Sequence, residues 1–444
     1  MRYLKTFIIL FFFLASTVHA RTLIRDAETE YVVNEIFTPL SRVVYGDQKN
    51  VELYIVSNPL LNAYVTGGQK IFIHTGLIIR TEKPEQLAGV LAHELGHITG
   101  GHLLRSQDAA SEALIQSLIT TALVGIAATA TGGNGGSAIA GSLIAGSQAG
   151  AGSFTAFTRM QEAAADQAAF EFLRKSMIGV DGLVDVMTML SKDEYGAYDY
   201  MRSHPLSRDR IDLLQNQKKN FNEKDRNVKK LELDQNAYDR IKAKLVGFLE
   251  PPEKTIAQYE NHPIEDVRVM GVASALHKSG QVRKAYNMIS GYLKKHPKDG
   301  FMHDLAGQIA LESGLRDKAM LHYEKAYHLT KKTPLIGLAY GQALIASEER
   351  INIEKAVPIM KTSLFQEKYH ARGFRDLSVA YDRLEKPFFA AMASAQYYYL
   401  RGQYKSAMLQ AERAMAGLPK GSSEYVRAND IYFFSQEVIR RKKR

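Results

Sequence analysis

Two histidines four residues apart are the sharpest chemical feature of the sequence, within His93-Glu94-Leu95-Gly96-His97. Four residues are about one turn of an α-helix, so both imidazoles project from one face and can bind one zinc ion. Glu94 would lie beside the metal without binding it, where a carboxylate can act as a general base toward water. The spacing therefore predicts a hydrolytic zinc site. The alternative is an ordinary helix with two surface histidines.

A catalytic zinc needs a third protein ligand. A histidine six residues after His97 would complete the metzincin pattern, but that position is Leu103, and the nearby His102 is out of register. The metzincin class is therefore excluded. The other solution is a carboxylate on a second helix further along the chain.

Glu162 and Asp166 supply such carboxylates, four residues apart in an alanine-rich segment. This spacing places them on one helical face, and the small residues around them favour close packing. Glu162 is predicted to bind zinc, and Asp166 to accept a hydrogen bond from the outer ring N–H of a ligating histidine. The alternative is a solvated pair of carboxylates.

Composition narrows the possible chemistry. The 444 residues include no Cys, which excludes disulfide scaffolds, iron–sulfur clusters, Cys-ligated zinc and thiol catalysis. A metal must therefore be held by His and carboxylates. The formal charge is +10, but seven basic residues lie at the two ends, and residues 21–439 carry only +3. Nucleic acid is therefore not an expected partner.

The first twenty residues have the pattern of a secretory signal peptide. Arg2 and Lys5 precede the apolar run 7–14, and cleavage is expected near Ala20/Arg21. The alternative is an uncleaved anchor, although the run is short for a span of about 20 residues. We expect the mature chain in an exported space, most simply a bacterial periplasm.

Five elements are predicted around the zinc motif. Residues 26–45 have helical spacing, and 51–57 and 62–66 have strand patterns. A Gly-Gly turn then leads into 70–74, which predicts a β-hairpin. Pro84 is predicted to begin the helix that carries the zinc motif.

Residues 113–158 contain no charged residue and are rich in Ala, Gly, Ser and Thr. Three interpretations stay open for this segment. It forms two packed helices beside the active site, a loop that is mobile or makes peripheral contact with a membrane, or a transmembrane hairpin.

The C-terminal part of the chain repeats with a period of 34 residues. Gly280 and Gly314 have this separation, as do Ala285 and Ala319. Small residues at this period, where paired helices cross, are typical of tetratricopeptide repeats.

The predicted fold class is mainly α. An α+β zincin-type metallopeptidase domain with a small β-hairpin or sheet precedes an α-helical tetratricopeptide solenoid. The predicted divisions are a signal peptide at 1–20 and the peptidase domain at 21–217. A linker rich in Lys, Asp and Asn follows at 218–254, then the repeat array at 255–440 and a basic tail at 441–444.

Together these motifs resemble the BepA-type periplasmic zinc metallopeptidases with C-terminal tetratricopeptide repeats, which are related to the HtpX-type gluzincins. The resemblance covers nearly the whole mature chain in the same order. It implies that each chain binds one Zn²⁺ through His93, His97 and Glu162, and that Glu94 is catalytic. It also implies that Asp166 contacts one of the ligating histidines without binding the metal.

The resemblance also implies roles for His204 and Arg210. His204, which precedes Pro205, would fill the open position of the zinc in a resting state and move to admit substrate. From the residues alone, a histidine in a turn is an equal interpretation of His204. Arg210 would pair with a carboxylate or stabilise the oxyanion that forms during hydrolysis.

The predicted function is that of a periplasmic zinc-dependent endopeptidase whose array docks partners or substrates. The resemblance implies misassembled outer-membrane proteins as substrates and the outer-membrane β-barrel assembly machinery as a partner. The alternative is a chaperone or adaptor with a latent, mainly structural zinc site.

Overall fold

The chain folds into a mixed α/β region followed by a long run of helices. The computed structural model describes residues 23–48, 50–67, 69–102, 158–192, 204–205, 208–224 and 231–442. The α/β region consists of β1 (Leu23–Ile24), α1 (Ala27–Tyr45), β2 (Glu52–Val56), β3 (Ala63–Thr66), β4 (Lys70–His74), α2 (Thr75–Arg80), α3 (Pro84–Thr99), α4 (158–175), α5 (Asp181–Lys192) and α6 (Arg208–Lys224).

The helical region follows without a further described strand. It consists of α7 (Gln235–Leu249), α8 (Pro252–Tyr259), α9 (Glu265–Lys278), α10 (Val282–Lys295), α11 (Gly300–Glu312), α12 (Arg316–Leu329), α13 (Pro334–Ala346), α14 (Arg350–Gln366), α15 (Ala371–Arg383), α16 (Pro387–Leu400), α17 (Tyr404–Met415) and α18 (Ser423–Arg441). The predicted fold class, a mainly α chain with a small sheet near its start, is confirmed.

The four strands form one sheet in the order β1-β2-β4-β3. β3 and β4 pair antiparallel, which confirms the predicted hairpin. β2 pairs with β4 in parallel, with Ile55 opposite Ile73, and β1 pairs antiparallel with β2. The sequence analysis predicted neither the parallel pairing nor β1.

Alternation along the strands separates a buried face of the sheet from a half-exposed one. Ile71 and Ile73 are fully buried in the core. Phe72 points to the opposite face, where its ring stacks between Tyr54 and Tyr64 at centroid distances of 5.1 and 5.4 Å. The buried face packs toward α3 and fixes where that helix lies.

α3 is the central helix of the α/β region. It begins at Pro84, as predicted, and almost every residue from there to Gly96 is buried. Leu87, Leu91 and Leu95 contribute to the core that the helix shares with α1, the sheet and α5. The zinc motif is therefore held on the most completely packed helix of this region.

Successive helices from α9 to α18 pack against one another. Gly280 and Gly314 each end the first helix of a pair and have φ of 77° and 74°, a left-handed conformation that favours glycine. A Cβ on Gly307 would lie 2.9 Å from the ring of Tyr323, so a small residue is needed at that crossing. These features agree with the 34-residue period, and the tetratricopeptide assignment stays a prediction.

The segment 218–254, predicted to be a linker, contains the end of α6 and all of α7. One face of α7 places Tyr238 and Ile241 in the core of the α/β region. Its other face places Ala243 and Val246 in a cluster with residues of α8 and α9. The connection is therefore a packed helix shared by both regions. The predicted domain boundaries stay a prediction.

Buried ion pairs reinforce this shared helix. Arg240 contacts Glu28 of α1 at 2.9 Å and Asp299, which precedes α11, at 2.6 Å. Lys244 contacts Asp26 at 2.6 Å. Since buried charges need partners, α7 couples the start of the α/β region to the helical region.

Several predictions concern residues outside the described ranges, among them the signal peptide 1–20 and almost all of 113–158. In the part of the chain that the structure describes, no helix has the length and apolar character needed to cross a membrane.

The Tyr238 hydroxyl offers a test of the packing of α7. It lies 2.6 Å from Thr81 Oγ1 and donates to the carbonyl of Ile78. We expect Tyr238→Phe to lower the free energy of unfolding by about 1 kcal/mol, because buried hydrogen bonds are lost. Urea denaturation measures this. Tyr369→Phe is the control, because Tyr369 is 62% exposed. Equal stabilities for the two variants would contradict the contact.

Candidate metal centre

The predicted histidine pair lies on α3 as its spacing requires. His93 and His97 project from one face, and their Nε2 atoms are 3.0 Å apart. His93 is fully buried, whereas the His97 side chain keeps 13% of its exposure. The pair therefore lies at the edge of the core, with His97 on the more exposed side.

α4 crosses α3 close enough to bring a carboxylate onto this pair. Glu162 Oε1 lies 3.3 Å from His97 Nε2, and Oε2 lies 3.4 Å from His93 Nε2. The crossing point is Gly96, where a Cβ would lie 2.8 Å from the carbonyl oxygen of Ala165. The absence of a side chain at Gly96 thus permits the approach of the two helices.

Asp166 lies behind the pair, one helical turn after Glu162. Its Oδ1 is 2.9 Å from His93 Nδ1, the ring nitrogen that faces away from Glu162. A carboxylate at this position holds the imidazole with its Nε2 lone pair toward the cluster.

His204 closes the cluster from a third direction. Its Nδ1 lies 3.2 Å from Glu162 Oε1 and 3.4 Å from His93 Nε2. Its Nε2 lies 3.4 Å from Glu94 Oε1. This residue therefore lies between the metal-binding groups and Glu94.

Arg210 of α6 ties these parts together. Its guanidinium donates to both oxygens of Asp166, at 2.6 and 2.9 Å, and to the carbonyl of Pro205 at 2.7 Å. It also lies 3.0 Å from Glu162 Oε2. Of the two predicted roles, pairing with a carboxylate is the one that these contacts match.

The donor atoms fit a zinc ion. One ligand atom from each of His93, His97, Glu162 and His204 lies within 4.8 Å of every other. Four of their six separations are 3.0 to 3.4 Å. In tetrahedral zinc, Zn–N and Zn–O bonds of about 2.0 to 2.1 Å separate the donors by roughly 3.3 Å. Imidazole and carboxylate are also ligands that zinc accepts.

Burial and hydrogen bonding shift the pKa values of the cluster. Burial opposes ionisation of Glu162, but its contacts with the rings of His204, His93 and His97 outweigh it and hold the pKa of that carboxyl well below its usual range. Burial lowers the pKa of His97 to about 4. Glu162 is therefore anionic and His97 neutral, which are the forms that bind metal.

Glu94 differs from Glu162 although both are buried. Neither of its carboxylate oxygens makes a hydrogen bond within the described residues. Burial raises the pKa of this carboxyl. A buried carboxylate without a hydrogen-bond partner is unusual in a folded protein, and its place beside the cluster matches a group that must exchange protons.

His102 and Gln161 are two residues of the site that the sequence analysis missed. His102 Nδ1 lies 3.0 Å from His97 Nδ1, and Gln161 Nε2 donates to the His102 carbonyl at 3.0 Å. The sequence analysis examined His102 only as a zinc ligand. The sequence feature that could have predicted the position of His102 is the Gly100-Gly101 pair, which can turn the chain back toward the helix end.

The α/β region is similar to known proteins. Residues 6–218 match the model of a protein family described as Peptidase family M48. The putative beta-barrel assembly-enhancing protease of Vibrio cholerae is 29% identical over 191 residues, which cover 40% of this chain and 38% of that protein. The beta-barrel assembly-enhancing protease of Yersinia pestis is 22% identical over 309 residues, covering 67% and 61%.

The Escherichia coli K12 beta-barrel assembly-enhancing protease is 21% identical over 417 residues, covering 91% of this chain and 82% of that protein. The chain thus covers less than two thirds of the length of the Vibrio and Yersinia relatives. It covers more than two thirds of the length of the Escherichia relative. The predicted resemblance to these metallopeptidases is confirmed. The family match and the donor set also confirm zinc as the predicted cofactor.

The crossing at Gly96 can be tested with one added methyl group. We expect Gly96→Ala to lower stability by about 1 to 3 kcal/mol through overpacking, and to weaken zinc binding because α4 carries Glu162. Gly291→Ala is the matched control, because a Cβ there meets nothing within 4 Å and alanine favours a helix. Calorimetry and zinc titration measure both effects. Unchanged zinc affinity in Gly96→Ala would contradict the role of this crossing.

Proposed function

Because residues 6–218 match the model of peptidase family M48, we propose that the chain is a zinc-dependent endopeptidase. The observation that carries this proposal is the juxtaposition of a four-donor cluster with Glu94, a buried carboxylate that makes no hydrogen bond within the described residues. A structural zinc site has no need of such a carboxylate.

We assign the roles as follows. His93, His97 and Glu162 hold Zn²⁺, which when bound supplies Lewis-acid polarisation of a carbonyl and lowers the pKa of water. Asp166 fixes the ring of His93 through the 2.9 Å contact to Nδ1. Arg210 holds Asp166 and Glu162 in place and so supports the ligands indirectly.

Glu94 is the proposed general base. Burial raises its pKa, which brings a carboxyl group closer to the range in which it can both accept and release a proton near neutral pH. It would take a proton from the attacking water and later deliver that proton to the leaving amine. Its fixed place on α3, one residue after His93, keeps it beside the reacting groups.

His204 is the proposed latch. Its ring lies against both Glu162 and Glu94, at 3.2 and 3.4 Å, so it takes the space that water and a scissile carbonyl need. In this proposal the enzyme rests with His204 in place and becomes active when His204 moves away.

An extended substrate could pair with the edge strand β3. β3 is the last strand in the sheet order and lies next to α3, so a polypeptide added to this edge would pass near the zinc ligands. Main-chain pairing of this kind accepts many sequences.

The names of the Yersinia and Escherichia relatives describe proteases that enhance β-barrel assembly. We therefore propose a periplasmic role in the assembly and quality control of outer-membrane proteins, with misassembled members as substrates. The helical region would serve as a tetratricopeptide array that docks substrates or the outer-membrane β-barrel assembly machinery. Export by a signal peptide cleaved near Ala20/Arg21 belongs to the same proposal.

A chaperone or adaptor with a latent zinc site is the second candidate. The contacts of His204 favour it, because a four-ligand zinc site is typical of structural zinc. The two functions differ in whether the chain ever hydrolyses a peptide bond.

We expect Glu94→Gln to lower the rate of casein cleavage by at least about 100-fold, because the general base is lost. Zinc content, measured by atomic absorption, should stay at one per chain because Glu94 is not a ligand. Glu85→Gln, the same change in the first turn of the same helix, is the control and should keep full activity. Undiminished cleavage by Glu94→Gln would refute the assignment of Glu94 as the general base.

We expect His204→Ala to raise the cleavage rate several-fold, because the space over the zinc ligands is freed. The measurement is the initial rate on casein with saturating zinc. His328→Ala, at an exposed histidine of α12, controls for the loss of an imidazole. A rate at or below that of the wild type would remove the support for a latch.

A further inference from the structure

The chain reverses direction immediately after the zinc helix. α3 ends at Thr99, and Gly101 has a φ of 61°, a conformation that favours glycine. The turn brings His102 back over the helix end, where its ring packs directly on Gly100. A Cβ on Gly100 would overlap that ring, so the fold depends on glycine at this position.

The returning His102 meets the outer nitrogen of a proposed zinc ligand. His102 Nδ1 and His97 Nδ1 are 3.0 Å apart, which is a hydrogen-bond distance. The other ring nitrogen of His97, Nε2, faces Glu162 and His93 at 3.3 and 3.0 Å. The two nitrogens of His97 are therefore both engaged, one by the cluster and one by His102.

His102 is itself held in place. It is buried, with 6% of its surface exposed, and its carbonyl accepts a hydrogen bond from Gln161 Nε2 at 3.0 Å. Gln161 precedes Glu162 on α4. The same short stretch of α4 therefore supplies a cluster carboxylate and anchors the residue behind His97.

We propose that His102 is a positioning residue, which accepts a hydrogen bond from His97 Nδ1–H and so keeps the His97 Nε2 lone pair directed at the metal. The inference rests on the proposed function only in taking His97 as a zinc ligand. A neutral imidazole carries one proton. When that proton lies on Nδ1, Nε2 is free to bind zinc, and His102 Nδ1 must be the acceptor.

This arrangement matches the one at the other histidine of the pair. Asp166 engages His93 Nδ1 at 2.9 Å in the way that His102 engages His97 Nδ1. Groups that orient a metal-binding histidine in this way typically change metal affinity 10- to 100-fold when removed. His102 supplies a neutral acceptor in place of a carboxylate, so we expect an effect at the lower end of that range.

Two near-isosteric variants separate the hydrogen bond from packing. Asn keeps an acceptor oxygen where His102 has Nδ1, and Leu fills the same space with no acceptor. In a competition titration of the full chain with Zn²⁺ and a chromophoric chelator, we expect His102→Leu to weaken zinc binding by about 10-fold. The zinc affinity of His102→Asn should stay within about 3-fold of that of the wild type. The control His328→Leu should have the same zinc affinity as the wild type. Equal losses in His102→Asn and His102→Leu would overturn the proposal.

Gly100→Ala provides a second test that leaves His102 in the chain. The added methyl group displaces the His102 ring, so zinc affinity should fall as it does in His102→Leu. The double variant Gly100→Ala/His102→Leu should lose no more zinc affinity than either single variant, because both changes remove the same contact. Fully additive losses would contradict the proposal. Zinc binding without cleavage by either the wild type or His204→Ala would refute the endopeptidase function and leave these affinities as a separate result.

Discussion

The crossing of α3 and α4 at Gly96 is the constraint on which the rest of the site depends. Because Gly96 has no side chain, the backbone at Ala165 approaches α3 closely enough for Glu162 to reach His93 and His97. The same crossing places Asp166 behind His93, one turn further along α4. A single close contact between two helices thus sets the position of a carboxylate in the cluster and of the carboxylate behind it.

The remaining groups are arranged around this crossing. Arg210 comes from α6 and binds both carboxylates of α4, and its contact with the Pro205 carbonyl brings the adjacent His204 to the cluster. The negative charge of Glu162 is compensated by this arginine, 3.0 Å away. Buried charges of this kind are tolerated only in a complete network, which explains why so many polar groups meet inside an otherwise apolar core.

The local chemistry of the site was predictable from the sequence, because its spacings match helical geometry. His93 and His97, and Glu162 and Asp166, are each four residues apart, and each pair lies on one helical face as expected. The hairpin of β3 and β4 followed from alternation and a glycine turn. Features that depend on contacts distant in sequence were not predictable. The parallel pairing of β2 with β4, the two packed faces of α7 and the return of His102 onto His97 leave no periodic pattern.

We propose that one zinc ion is bound by His93, His97 and Glu162. X-ray diffraction from crystals of the full chain, with anomalous data collected on both sides of the zinc absorption edge, tests it most directly. We expect a single strong anomalous peak within about 2.0 to 2.2 Å of His93 Nε2, His97 Nε2 and a Glu162 oxygen. A fully occupied zinc elsewhere, with none between these three side chains, would contradict it.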